Sequence, residues 1–175
     1  MAGAVAARSS GDPAFGPAAA ARLIALLLPV ALLGGALGSQ YFGGLHPCEM
    51  CIWQRWPHGV AIVLAALAFL TGPAASARSR GLVLLAALAI AVSGAIGVYH
   101  AGVEAGIFEG FTKCTAQATA GSTADVLRQL TQAPLVRCDE VQFRFLGISM
   151  AGWNAILSLG GAALVLLLSL RGRRG

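Results

Sequence analysis

Pro47-Cys48-Glu49-Met50-Cys51-Ile52-Trp53-Gln54-Arg55-Trp56-Pro57-His58 puts a Cys-x-x-Cys pair where a polar turn gives way to an apolar run. Cysteines at this spacing close a small, strained disulfide or share a metal ion, and the surroundings decide which. Pro47 suits the entrance of a helix, because its missing N–H would have had no partner there. Cys51 then falls in the first turn, where the dipole and the unpaired N–H groups favour a thiolate. Arg55 follows one turn later on the same face, and His58 continues that face. A thiolate beside an arginine, at the lip of an apolar helix, is a redox-active arrangement.

Outward from this stretch the chain is a series of apolar runs. The second run extends over about 48–71, with others at 23–41, 81–103 and 147–170, each long enough to cross a bilayer. Apolar residues make up 57% of the 175 and charged residues 11%, less than half the roughly 25% of a soluble domain. The expected fold is an all-α membrane protein, an antiparallel four-helix transmembrane bundle. A disordered tail (1–22), a long loop (104–146) between helices 3 and 4 and a basic tail (171–175) complete it. Arg22 before the first run also suits a cleaved signal peptide. The run reaches Phe42 with no convincing Ala-x-Ala site, which favours a retained helix. Pro57 predicts a kink, and Ser122-Thr123-Ala124-Asp125 reads as a capping box opening a short helix on the membrane surface.

Arginines fix the orientation. Arg8, Arg22, Arg78, Arg80, Arg171, Arg173 and Arg174 fall on one side, which the positive-inside rule makes cytoplasmic for both termini. The net charge of +5 is that anchoring pattern rather than a patch interleaved with aromatics, so nucleic acid is not expected as a partner. Cys48, Cys51, Cys114 and Cys138 all lie on the outer side, where a bacterial compartment is oxidising. Four cysteines allow three pairings, and spacing does not choose among them. The bland alternatives are a membrane protein stapled by structural disulfides and a metal-binding membrane protein; a zinc ribbon would usually show a second Cys-x-x-Cys.

Arg55 reads either as an interfacial anchor or as a group that favours the Cys51 thiolate and hydrogen-bonds the carbonyl of a lipid-soluble acceptor, with Gln54 beside it. His100 and Glu104, four residues apart, form a candidate proton relay or an ordinary interfacial pair. Trp53, Trp56 and Trp153 read as interfacial belt residues. Gly34, Gly35, Gly38, Gly94 and Gly97 are small residues expected at close helix contacts.

Cys48-Glu49-Met50-Cys51-Ile52-Trp53-Gln54-Arg55, Tyr99-His100-Ala101-Gly102-Val103-Glu104, Cys114, Cys138-Asp139-Glu140 and Phe145-Leu146-Gly147-Ile148-Ser149-Met150 with Trp153-Asn154 together resemble the DsbB disulfide bond formation protein family. The likeness covers roughly residues 20 to 170. Some members have Trp at Phe143 and Pro at Ala151, neither of which touches the chemistry. The resemblance implies a protein-disulfide oxidoreductase of the bacterial inner membrane. It would reoxidise a periplasmic DsbA-like dithiol oxidase and pass the electrons to a membrane quinone, ubiquinone or menaquinone. By the same analogy the partner attacks Cys114 of a Cys114–Cys138 disulfide, and Cys48–Cys51 reoxidises that pair through a Cys48–Cys138 link. Cys51, Arg55, Gln54 and His100 would face the quinone. A strongly oxidising partner is out of reach of a glutathione-like pool, so its electrons need a stronger acceptor.

Overall fold

The computed structural model describes residues 16–110, 122 and 136–172. Cys114, the capping box after Ser122 and both chain ends therefore lie outside the described residues. α1 (Pro17–Tyr41) opens with proline at its first position, where no hydrogen bond is lost. Residues 17–22, expected in the tail, are helical because the alanines after Pro17 are strong helix formers. α2 (Glu49–Leu70) runs through Pro57 without ending. α3 (Ala77–Glu104) starts ahead of the expected 81 because the Ser76 hydroxyl accepts the Ser79 N–H at 3.2 Å.

The fourth helix, by contrast, starts later than expected. Residues 144–149, whose C-terminal half was assigned to it, form a small hairpin of β1 (Arg144–Phe145) and β2 (Ile148–Ser149). Leu146 and Gly147 turn it, both with positive φ (51° and 80°), the two-residue turn whose twist suits antiparallel strands. Ser149 then caps α4 (Met150–Arg171) by accepting the Gly152 N–H at 3.1 Å.

The four helices form an antiparallel bundle in which each packs on the next and α4 closes back on α1. Arg22, near the start of α1, donates to the carbonyls of Ala68 (3.4 Å) and Gly72 (2.9 Å) at the end of α2. Ser93 of α3 meets Gln54 and His58 of α2. The α3–α4 contact rests on Gly97, where a Cβ would sit 3.0 Å from the Ala155 nitrogen and 3.1 Å from the Ala151 oxygen. Gly34, Gly35 and Gly38 do not serve this purpose, because open space lies where their Cβ atoms would be.

The core is built from small side chains: Ala21, Ala25, Ala61, Ala65, Ala68, Ala86 and Ala87 surround Val83, Ile90 and Val165. Larger ones, among them Leu27, Leu67, Leu70, Leu88 and Leu167, face outward. Small residues inside let backbones approach, and a lipid surface accepts the leucines without penalty. α1, α3 and α4 are long and apolar enough to cross a membrane. α2 carries Glu49, Gln54, Arg55 and His58 in its first half, so its own composition is less apolar.

Candidate active site

Cys48 is the N-cap of α2, with extended backbone (φ −73°, ψ 171°). Its sulfur accepts the Cys51 N–H at 3.3 Å and stands 3.0 Å from Cys51 Sγ. Pro47 thus precedes the cap instead of occupying the first helical position. Cys51 does fall in the first turn, with Glu49 ahead of it at the positive end of the dipole.

Cys138 arrives from the loop before the hairpin and is buried against Cys48, Met50 and Val103. Sγ of Cys48, Sγ of Cys138 and a ring nitrogen of His100 all lie within 4.8 Å of one another. Three cysteines of the four are thereby gathered at one end of the bundle. Next to Cys138, Arg137 pairs with Asp139 (Nε–Oδ1 2.9 Å), and these hydrogen bonds hold the exposed Asp139 carboxyl below the usual carboxylate range.

His100, near the end of α3, is 2% exposed. Its Nδ1 is 2.8 Å from Gln54 Nε2, and its Nε2 is 3.5 Å from Cys48 Sγ and 3.8 Å from Glu104 Oε1. The histidine is therefore a member of the cysteine cluster. Gln54 Oε1 accepts from Asn154 Nδ2 at 2.7 Å. Asn154 Oδ1 in turn lies 2.9 Å from His58 Nε2. Asn154 and Ser93 carried no role in the sequence reading. Their signal was polarity inside apolar runs, where such side chains are costly unless partnered.

Arg55 turns its guanidinium toward α1, donating to Gln40 Oε1 at 2.5 Å and to the Ala36 carbonyl at 3.3 Å. No hydrogen bond joins it to Cys51 among the described residues, although its charge is within electrostatic reach of that sulfur. Its Nε is buried and has no hydrogen-bond partner among the described residues. Beside it opens a cavity of about 330 Å³, walled by Leu32, Leu33 and Ala36 of α1 and by Trp153 and Met150 of α4. Cys48, Cys51, Gln54, Arg55, His58, His100, Glu104 and Asn154 are among its polar lining residues. The hairpin closes one edge, tied down by Trp153 Nε1 donating to the Phe145 carbonyl (2.9 Å) and Gln142 donating to the His46 carbonyl (2.6 Å). Trp53 and Trp56, by contrast, are exposed on the outer face of α2.

A cysteine pair capping a helix, a third cysteine beside it and an apolar cavity below are what a membrane thiol oxidoreductase requires. A model of the family described as disulfide bond formation protein DsbB matches residues 18–168. The chain belongs to the DsbB family. A relative named disulfide bond formation protein B from Azoarcus sp. (strain BH72) is 34% identical over 155 residues, 82% of this chain and 87% of the relative. Another of that name, from Polaromonas sp. (strain JS666 / ATCC BAA-500), is 30% identical over 163 residues, 86% and 90% of the two chains. No solved structure matches. Membership agrees with the bundle: this DsbB-family chain is an all-α membrane protein with a disulfide oxidoreductase role.

Proposed function

We propose that the chain reoxidises a periplasmic DsbA-like dithiol oxidase of thioredoxin fold and delivers the electrons to a membrane quinone. The observation that carries this reading is the gathering of Cys48, Cys51, Cys138 and His100 at one end of the bundle, where Cys48, Cys51 and His100 line the 330 Å³ cavity. Its volume is at the lower end of the roughly 300–1,000 Å³ usual for small-molecule sites. Apolar walls with an Arg55 Nε unpartnered among the described residues fit a quinone head, which has carbonyl acceptors on an otherwise apolar ring. A quinone supplies the capacity to take two electrons and two protons.

The residues divide the work. Cys114 meets the partner's thiolate and passes the disulfide exchange to Cys138. Cys138, already against Cys48, forms the link through which Cys48–Cys51 reoxidises the outer pair. Cys51, first to leave Cys48, carries its sulfur to the cavity wall. Arg55 and Gln54 bind and orient, and His100 donates toward the Cys48 sulfur. α2 is the fourth span, the membrane is the bacterial inner membrane, and both termini are cytoplasmic, as the arginine distribution supports.

Turnover of the purified chain with quinone and a reduced thioredoxin-fold oxidase tests this. Cys51→Ala should abolish quinone reduction while Cys114 still traps the partner as a mixed disulfide. Trapping on Cys48 with Cys114 dispensable would refute the electron order. The Cys48–His100–Cys138 cluster also has a spacing that a metal ion would accept. Stoichiometric zinc in the purified protein, with no quinone turnover, would favour that second reading.

A further inference from the structure

Beneath the cysteines a line of hydrogen bonds crosses α4, α2 and α3, and every bond in it points the same way. The Ser93 carbonyl only accepts, so the Asn154 atom 3.2 Å from it is the amide nitrogen. Asn154 Oδ1 is then the atom facing His58, and His58 Nε2 donates to it at 2.9 Å. Asn154 Nδ2 donates to Gln54 Oε1 at 2.7 Å. The Met50 carbonyl fixes Gln54 in the same manner: Nε2, 3.2 Å from that oxygen, is a donor, and it also donates to His100 Nδ1 at 2.8 Å. His100 therefore carries its proton on Nε2, facing Cys48 Sγ at 3.5 Å.

The far end of this line is unfinished. With its proton on Nε2, His58 presents a bare lone pair on Nδ1. That atom is buried and has no hydrogen-bond partner among the described residues, and the residue is 3% exposed. Native structures seldom leave a buried polar atom unmatched unless something else completes it. His58 lines the same cavity as Arg55, almost one turn further along α2.

We propose that His58 Nδ1 is a hydrogen-bond acceptor for the hydroxyl of a reduced, hydroquinone-class ligand in this cavity. The inference rests on the reading that the cavity takes a quinone, and goes beyond it by giving the site a preference between redox states. A quinone carbonyl is itself an acceptor and gains nothing from a bare nitrogen; a hydroquinone O–H does. In the reaction two cysteine S–H bonds break and one S–S bond forms. The two electrons and two protons convert both carbonyls to hydroxyls, and one new O–H is the donor His58 meets. The pocket thereby draws electrons away from the cysteines. Asn154 and Ser93 are positioning residues that hold the tautomer.

The test uses the purified full chain in detergent, titrated with decylubiquinone and, anaerobically, with decylubiquinol, and read by quenching of tryptophan fluorescence. The unaltered chain should bind the quinol more tightly than the quinone. His58→Gln retains a donor toward Asn154 but has no acceptor at the Nδ1 position, and should weaken quinol binding roughly three- to tenfold with little change for quinone. His58→Asn, with an acceptor near Nδ1, should keep more of the preference. An unaltered chain without preference overturns the inference, as does a His58→Gln chain with an unchanged quinol-to-quinone ratio. Equal losses for both ligands make His58 a wall residue and overturn it while sparing the quinone reading. Binding of neither ligand by the unaltered chain overturns both.

Discussion

His100 Nε2 stands 3.5 Å from Cys48 Sγ, with Gln54 behind the ring holding its other nitrogen at 2.8 Å. The hydrogen-bond line therefore turns the Nε2 donor toward the Cys48 sulfur, where the Cys138 backbone and the Glu104 carboxylate also face the ring. His100→Phe should slow alkylation of Cys48 by iodoacetamide, measured in a background with the other cysteines changed to alanine. Hydrogen bonds to a charged atom contribute about 1.5–3 kcal/mol, so the slowing should reach roughly tenfold or more at neutral pH. Gln54→Leu should give a smaller effect, since it frees the ring to rotate without removing the donor. Equal reactivity in all three proteins would detach the histidine from the thiol.

Arg55 makes a different kind of contact. Its two terminal nitrogens are already committed to Gln40 and Ala36. Lysine keeps the charge but not the planar fork, so it loses the strap to α1. Arg55→Lys should raise the quinone KM moderately and Arg55→Met more, within roughly tenfold to hundredfold for the lost charge-assisted bond. Quinone titration of both variants checks this, and unchanged kinetics in Arg55→Met would reduce the residue to an anchor.

Gly97 carries the α3–α4 contact. Because the obstructing atoms are the backbone of Ala151 and Ala155, Gly97→Ala forces the helices apart and should cost about 1–3 kcal/mol. Thermal melts in detergent should show a clear drop in Tm. Gly34→Ala and Gly35→Ala, facing open space, should be neutral or slightly stabilising. A melt that ranks them the other way round would contradict the packing.

Membrane orientation follows from the arginines rather than from the bundle. Impermeant thiol reagents applied to intact cells should reach the outer side only, labelling Cys48, Cys51, Cys114 and Cys138 after reduction and denaturation of the outer face. A reporter fused after Gly175 should be active only in the cytoplasm. A periplasmic C-terminus would place the cysteine pairs in a reducing compartment.

The bundle was legible because apolar runs of membrane-spanning length leave few alternatives. Helix starts were less so. Pro17, Ser76 and Ser149 set them by capping and propensity, which the apolar runs do not reveal. Residues 144–149 were read as the approach to a helix and its start, although Leu146-Gly147 turns a hairpin there. Cys48, Cys51, Gln54, Arg55 and His100 all line one cavity. The direction of the Arg55 fork depended on Gln40, a residue on another helix. His58 and Asn154, 96 residues apart, become partners only when α2 and α4 pack side by side, and local spacing carries no trace of that. Cys114 lies outside the described residues.

One small hydrogen bond bears on how far the chemistry can reach. Gln142 donates to the His46 carbonyl, pinning the loop to the approach to α2. Cys138 lies four residues upstream of that pin. A chain extends at most about 3.3–3.6 Å per residue, so the Cys138 backbone swings on a tether of roughly 14 Å while the pin holds. That arc keeps Cys138 near Cys48, against which it is buried, at this end of the bundle. Cutting the pin with Gln142→Ala would lengthen the arc and dilute Cys138 around Cys48, turning a local exchange into a search.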